Sequence, residues 1–166
     1  MTSPATLFSL EGCVACVTGG AGHVGKVIAE TLTGLGCGLA LVDRHASVLE
    51  LAERLRQQTG LDVQGFTCDL ADDAEAHALP RALLDRMRRL DILVNNAAFV
   101  GTSELEGWAT ELPRQTSETW RKALEVNLTA PFTLSRELAP FLKEHGLGSI
   151  INIASIYGVH GPDLSL

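Results

Sequence analysis

The stretch VTGGAGHVG, residues 17–25, joins a short apolar segment to a segment with helical periodicity. Three of its four glycines stand at positions 19, 22 and 25, the spacing G-x-x-G-x-x-G. Glycine lets a chain turn sharply between a strand and a helix and approach a pyrophosphate without a Cβ in the way. The N–H groups and dipole of the helix N-terminus favour negative charge. The stretch therefore predicts a dinucleotide-binding turn in an α/β domain.

An acidic residue lies where such a site needs one. Asp43 ends the apolar segment GLALVD and follows Gly25 by 18 residues. Its carboxylate can accept hydrogen bonds from the adenosine ribose hydroxyls, whereas a 2′-phosphate would meet its negative charge. NAD is therefore expected rather than NADP, a preference that the adjacent Arg44 could soften. The alternative is a solvated carboxylate at the end of a strand.

Apolar runs alternate with amphipathic segments along the whole chain. This alternation predicts repeated βαβ units, which form a Rossmann-type doubly wound parallel sheet with helices on both faces. We expect one domain over 1–166, truncated after its fifth strand and therefore incomplete at its C-terminus. Strands are predicted at 13–19, 38–43, 61–70, 90–98 and 149–155, and helices at 23–36, 46–60, 72–89 and 118–146.

Local signals refine the helices. Ser47 and Ser117 are expected to cap helix starts and Gly60 to end a helix, while Pro80 predicts a break or a restart and Pro131 a kink. The apolar faces predicted from helical spacing are Val24, Ile28, Leu32 and Leu35 in the first helix, and Val48, Leu51 and Leu55 in the second.

Composition excludes several classes of partner. The net charge is −7, from 13 basic and 20 acidic residues, which disfavours nucleic acid and anionic membranes. The sequence contains no long apolar span and no signal peptide pattern, so a cytoplasmic location is expected. Cys13 and Cys16 form C-x-x-C, but within a strand they point to opposite faces, so we expect buried structural thiols and no metal site.

Six segments carry a family resemblance. VTGGAGHVG, LVDR, CDL, LDILVNNAA, EVNLTAPF and GSIINIAS follow one another across nearly the whole chain. In content and order they resemble classical short-chain dehydrogenases/reductases. The resemblance implies an NAD-dependent oxidoreductase that interconverts a secondary alcohol and a ketone, with a homo-oligomer as its full-length form. Residues 101–120 and 155–166 resemble members associated with bacterial surface-sugar or flagellin-glycan pathways, which suggests a sugar-like substrate.

The resemblance also implies residue roles. Asp69 would hold the adenine, Asn127 a water of the proton relay, and Ser155 the substrate oxygen. Each has a local alternative: Asp69 could cap the following helix, Asn95 and Asn96 could tie a turn, Asn127 could relieve a bend, and Ser155 could be a strand-end hydroxyl. The candidate cofactor-binding residues are Thr18, Gly19, Gly22, His23, Val24, Gly25, Asp43, Arg44, Asp69, Leu70, Asn95 and Ala97, and the candidate catalytic residues are Ser155 and Asn127.

The tyrosine and lysine of the family's Y-x-x-x-K motif are not present. At the family spacing they would lie beyond Leu166, and Tyr157 has Gly161 where the lysine is needed. Tyr157 is therefore expected to line the pocket, and the chain as given is expected to be an inactive fragment. Two alternatives stay open: a non-catalytic nucleotide-binding module, and an NAD-dependent sugar-nucleotide epimerase or dehydratase of the extended branch, which His23 at the middle-glycine position suggests.

Overall fold

The described part of the chain contains five strands and five α-helices, which mostly alternate. The computed structural model describes residues 7–99, 106–108, 110–146 and 148–155. The strands are β1 (Val14–Thr18), β2 (Gly38–Asp43), β3 (Val63–Thr67), β4 (Ile92–Asn95) and β5 (Ser149–Asn152), each inside its predicted segment. The helices are α1 (His23–Gly34), α2 (Ser47–Thr59), α3 (Asp73–Met87), α4 (Ser117–Leu124) and α5 (Ala130–Glu144), with a 3₁₀ turn at Leu112–Arg114 and a π-helical turn at Glu125–Thr129.

The strands form one parallel sheet in the order β3-β2-β1-β4-β5. From β1 the chain moves outward to β2 and β3, and it then returns to the other side of β1 with β4. This reversal leaves a crevice between the carboxyl ends of β1 and β4, which is where open α/β sheets bind ligands. The predicted doubly wound architecture is therefore confirmed.

Two apolar cores cover the two faces of the sheet. Val17, Leu39 and Leu41 pack with α1 and α2 on one face, and Leu93 packs with α3 and α5 on the other. Side chains alternate between these faces along each strand. The two cysteines of the C-x-x-C pattern follow this rule, because Cys16 lies in the α3/α5 core and Cys13 packs against the α1/α2 core. The prediction that they point to opposite faces is confirmed, whereas the prediction that both are buried is wrong for Cys13, which is only half-buried.

The two predicted helix caps, Ser47 and Ser117, were each wrong by one residue. Ser47 is the first residue of α2, and Ala46 precedes it without a side-chain cap. Thr116, rather than Ser117, caps α4, since its hydroxyl accepts the N–H of Thr119 at 3.3 Å. The predicted end of α2 at Gly60 is confirmed by its left-handed φ of 72°. The predicted face Val48, Leu51 and Leu55 is buried.

The two prolines behave differently from each other. The predicted break at Pro80 is wrong: α3 runs through it, and Leu79, Leu83 and Met87 hold the helix against the core. A kink was predicted at Pro131, and the structure has a π-helical turn immediately before it, where the Ala130 N–H bonds to Glu125 O five residues back. Pro131 has no N–H to continue the regular ladder, which favours this wider turn.

None of the described helices is long and apolar enough to cross a membrane.

Candidate functional site

Thr18 joins the end of β1 to the turn that follows β4. Its hydroxyl oxygen accepts the N–H groups of Asn96 and Ala97, both at 3.0 Å. The same hydroxyl donates to Val94 O at 3.4 Å. Thr18 is only 1% exposed, so water cannot replace these bonds. This hydroxyl clamp fixes one wall of the crevice at the point where the strand order reverses.

Asn96 reinforces the clamp from the opposite strand. Its side-chain amide donates to Thr18 O at 2.9 Å and to Gly19 O at 3.2 Å. Gly19 has a φ of 65°, and a Cβ there would lie 2.8 Å from the Cα of Ala97. Asn96 was not among the predicted site residues, although tying a turn was one alternative considered for it. The signal in the sequence was a second asparagine after a strand that ends beside a Thr-Gly turn.

Gly22 and Gly25 of this turn meet different requirements. A Cβ at Gly25 would lie 2.1 Å from Gly19 O, so the fold itself requires glycine there. At Gly22 a Cβ would meet, among the described atoms within 4 Å, only Gly19 O at 3.2 Å. Gly22 has a φ of −71°, which any residue can adopt. A ligand that approaches the backbone closely would explain why this position is glycine.

The N-terminus of α1 opens into the crevice. His23 and Val24 are exposed in its first turn, and Val24 is 57% exposed. The prediction that Val24 belongs to the core face of α1 is therefore wrong, whereas its place at the crevice fits its predicted role beside a cofactor. The first turn contains no acidic side chain, and in the described structure no side chain caps it. Its N–H groups can therefore serve an anion.

Asp43 connects β2 to the glycine turn. Its Oδ2 accepts the N–H of Ala21 at 3.0 Å, and its Oδ1 accepts the N–H of His45 at 3.0 Å. A carboxylate offers about four acceptor positions, so roughly two stay available to ribose hydroxyls. The exposed Arg44 donates from Nε to Nε2 of His45 at 3.3 Å. Asp43 thus shapes the turn, and its role in holding a ribose stays a prediction.

Asp69 organises the loop after β3. Its Oδ1 accepts the N–H of Ala71 at 3.0 Å, and its own N–H donates to Glu75 Oε2 at 2.8 Å. The cap of α3 is Asp72 rather than Asp69, so the capping alternative was wrong. Leu70 is buried in the α3/α5 core. The predicted contacts of Asp69 and Leu70 with adenine stay predictions.

A cleft of about 620 Å³ passes this loop, with Arg44, Cys68, Asp69 and Glu75 in its lining. Its size falls within the range of small-molecule sites. Burial, together with the charges of Glu75 and Asp69, raises the pKa of the Cys68 thiol to about 12. The Cys68 thiol therefore stays protonated at neutral pH.

Asn95 lies beneath the crevice. Its side chain is 5% exposed and donates to Asn152 Oδ1 at 2.8 Å and to Ser135 Oγ at 3.3 Å. Among the described residues its Oδ1 has no hydrogen-bond partner. The side chain thus joins β4, β5 and α5. The predicted lining of the cofactor by Asn95 and Ala97 stays a prediction, and Ala97 contacts the glycine turn directly.

Asn127 and Ser155 lie on the far side of the crevice. Asn127, in the π-helical turn, accepts the N–H of Phe99 at 2.6 Å and donates to Phe99 O at 3.4 Å. It therefore fixes the segment that follows Ala97. Ser155 is exposed beyond β5, whose ladder is extended by the bond from Ile153 N–H to Asn95 O at 3.0 Å. Tyr157 lies outside the described residues.

Comparison with known proteins identifies relatives of this architecture. The model of the short chain dehydrogenase family matches residues 13–165. D-threitol dehydrogenase of Mycolicibacterium smegmatis is 37% identical over 151 residues, which cover 89% of this chain and 54% of that protein.

Two solved structures show the same fold. The NADPH-dependent 3-quinuclidinone reductase from Rhodotorula rubra superimposes with a TM-score of 0.83 at 28% identity, covering 96% of this chain and 58% of that one. An NAD⁺-bound xylitol dehydrogenase gives 0.78 at 25% identity, covering 92% and 56%. The chain therefore spans less than two thirds of the length of these relatives.

Proposed function

The chain belongs to the short-chain dehydrogenase family, and we propose that it is the cofactor-binding part of an NAD-dependent oxidoreductase that interconverts a secondary alcohol and a ketone. This proposal is supported by the family, by the crevice between β1 and β4, and by the side chains around that crevice. A nicotinamide cofactor is used by both solved relatives named above, NADPH in one and NAD⁺ in the other.

The space around Gly22 is the observation that supports cofactor binding most directly. The described packing around it leaves nearly enough space for a Cβ, whereas Gly25 has none. Gly22 directly precedes α1, whose first turn offers N–H groups to an anion. A pyrophosphate at this point would approach the Gly22 backbone and leave no room for a side chain. The residues present therefore fit a dinucleotide.

Asp43 supports a preference for NAD over NADP. At about 4 Å, each unit of phosphate charge would cost about 1–4 kcal/mol beside a carboxylate, depending on solvent screening. Ribose hydroxyls would instead donate to the remaining acceptor positions of Asp43, with charge-assisted bonds of about 1.5–3 kcal/mol. The single charge of the exposed Arg44 could offset part of the repulsion. We expect NADH to bind at least about tenfold more tightly than NADPH.

Residues of this chain would carry out only part of the proposed chemistry. A bound nicotinamide would exchange hydride with the carbon that bears the substrate oxygen. The hydroxyl of Ser155 would orient that oxygen, and Asn127 would hold the segment around Phe99 in place. The sequence has one tyrosine, Tyr157, without a lysine four residues later. We therefore propose that the chain as given binds cofactor without turning substrate over.

A small polyol or sugar-like compound is the proposed substrate. The names of the relatives include a D-threitol dehydrogenase and a xylitol dehydrogenase, both acting on polyols. Ser155 at an exposed position beyond β5 leaves a hydroxylated substrate room to reach it.

The test separates binding from folding by comparing two glycines. NADH fluorescence titrations would be run on the wild-type chain, Gly22→Ala and the control Gly34→Ala, with urea unfolding of each. At Gly34 a new Cβ meets no described atom within 4 Å, so the substitution should leave binding unchanged. We expect Gly22→Ala to unfold close to the wild type while its Kd for NADH rises more than about tenfold.

Equal Kd values for wild type and Gly22→Ala would contradict the proposed site. The same titration with NADPH tests the preference. Asp43→Asn should bring the two affinities closer together, since the substitution removes the charge and keeps one acceptor oxygen. Tighter binding of NADPH by the wild type would contradict the role of Asp43.

A further inference from the structure

Two cysteines face each other where β1 and β2 begin. Val14 pairs with Gly38 in the parallel ladder, and the N–H of Gly38 donates to Cys13 O at 2.9 Å. The register of a parallel pair continues from one residue to the next, so the residues that precede Val14 and Gly38 also lie opposite each other. Cys13 therefore stands opposite Cys37, at the amino edge of the sheet.

Both thiols lie on the same face of the sheet. Cys37 belongs to the α1/α2 core, and Cys13 packs against that core. Neighbouring strands lie about 4.8 Å apart, within the Cα separation of about 4.4–6.8 Å found in disulfides. A disulfide needs its Cβ atoms about 3.8 Å apart, which is about 1 Å less than the spacing of neighbouring strands. Each cysteine immediately precedes its strand, where the backbone is not held on both sides by the ladder.

The two thiols differ in their access to solvent. Cys13 is half-buried, whereas Cys37 is fully buried. Burial, the neighbouring Cys13 and the carboxylate of Asp91 raise the pKa of the Cys37 thiol to about 12. The guanidinium of Arg89, which pairs with Asp91, also interacts electrostatically with Cys13. Cys13 is therefore the thiol that a reagent in solution meets first.

We propose that Cys13 and Cys37 are a reactive pair that a low-molecular-weight disulfide converts into a disulfide bond between β1 and β2. The Cys13 thiolate attacks one sulfur of the reagent, forms a mixed disulfide and releases one reagent thiolate. Cys37 loses its proton to solvent, attacks the Cys13 sulfur and releases the second reagent thiol. Two protein thiols are oxidised, and one reagent disulfide is reduced to two thiols.

The two steps should have different rates. Only the thiolate attacks, and at neutral pH Cys37 is almost entirely protonated. The mixed disulfide at Cys13 should therefore accumulate first, and ring closure should accelerate about tenfold for each pH unit between 7 and 9. Asp91 and Arg89 stay charged over this interval, so their fields do not change.

The bond would lie at the sheet edge opposite the crevice. It would close a loop that contains the glycine turn and α1 without touching the residues that line the crevice. We expect oxidation to raise the midpoint of thermal unfolding, because cross-linking restricts the unfolded chain. The proposal is independent of the proposed function, since it concerns neither cofactor nor substrate.

The experiment uses oxidised glutathione as the reagent. The reduced chain, Cys13→Ser, Cys37→Ser and the control Cys16→Ala would be treated at pH 7 and pH 9, and followed by intact mass and non-reducing peptide mapping. Cys16 lies in the opposite core and should not take part. We expect a peptide cross-linked between Cys13 and Cys37 in the wild type and in the control, which dithiothreitol removes.

The two serine variants separate the steps. Cys37→Ser should stop at the glutathione adduct of Cys13. Cys13→Ser should form neither this adduct nor the disulfide. A wild-type chain that stops at the adduct even at pH 9 would overturn the proposal. A bond from Cys13 to Cys16 instead would overturn it as well.

Discussion

Replacing Thr18 by valine removes the hydroxyl clamp and keeps the shape of the side chain. The hydroxyl accepts two N–H groups, those of Asn96 and Ala97, at a site that is 1% exposed. A buried donor left without a partner costs about 1–3 kcal/mol. Two such donors predict that Thr18→Val lowers the free energy of unfolding by about 2–6 kcal/mol.

Urea unfolding measures this loss, provided that the slope against denaturant stays constant. Thr18→Ser is the matched control, because it keeps the hydroxyl and loses one methyl group, at a cost of about 1 kcal/mol. Thr33→Val removes a buried hydroxyl that donates only to helix carbonyls, so it orphans no N–H group. A Thr18→Val chain as stable as Thr18→Ser would refute the reasoning that the clamp holds β1 to β4.

Two further substitutions test the turn and the amino edge of the sheet. Gly25→Ala places a Cβ 2.1 Å from Gly19 O and should lower the free energy of unfolding by more than about 3 kcal/mol. The control Gly34→Ala should be neutral or stabilising. Similar unfolding midpoints for the two variants would contradict the packing described. Asp91 is 1% exposed, and although burial alone would raise its pKa, hydrogen bonds from Arg89 and the Val14 N–H hold that pKa below its usual value. A depressed pKa stabilises the folded chain above the unfolded pKa of about 4, and this stabilisation is lost as the pH falls through the folded pKa. Asp91→Asn should therefore lower the free energy of unfolding by about 1.5–3 kcal/mol at pH 7. In the variant this free energy should also fall less steeply as the pH is lowered. The same acid dependence as in the wild type would contradict the depressed pKa of Asp91.

The sheet could be predicted because its signals are local. Buried parallel strands are short continuous apolar runs, and glycines at 19, 36 and 60 mark the turns that bound them. The apolar face of α2 could be predicted from helical spacing alone, because Val48, Leu51 and Leu55 all pack into the same core. The cysteine alternation at Cys13 and Cys16 is equally local.

The features that were missed depend on distant partners. Thr18 bonds residues 76–79 positions away, and no local pattern reveals which hydroxyl will be opposite which turn. Val24 has core-like spacing, but the crevice lies where the core would be. Pro80 stays helical because tertiary packing outweighs the loss of one backbone bond.

Binding of NADH in the crevice between β1 and β4 is tested most directly by backbone amide chemical shifts recorded during an NADH titration. Such binding should produce saturable shifts concentrated at Gly19–Gly25, Asp43–His45 and Asn95–Ala97. Amides at the opposite edge, near Cys13 and Cys37, should stay unchanged. Shifts clustered at that opposite edge, or no shifts at millimolar NADH, would contradict it.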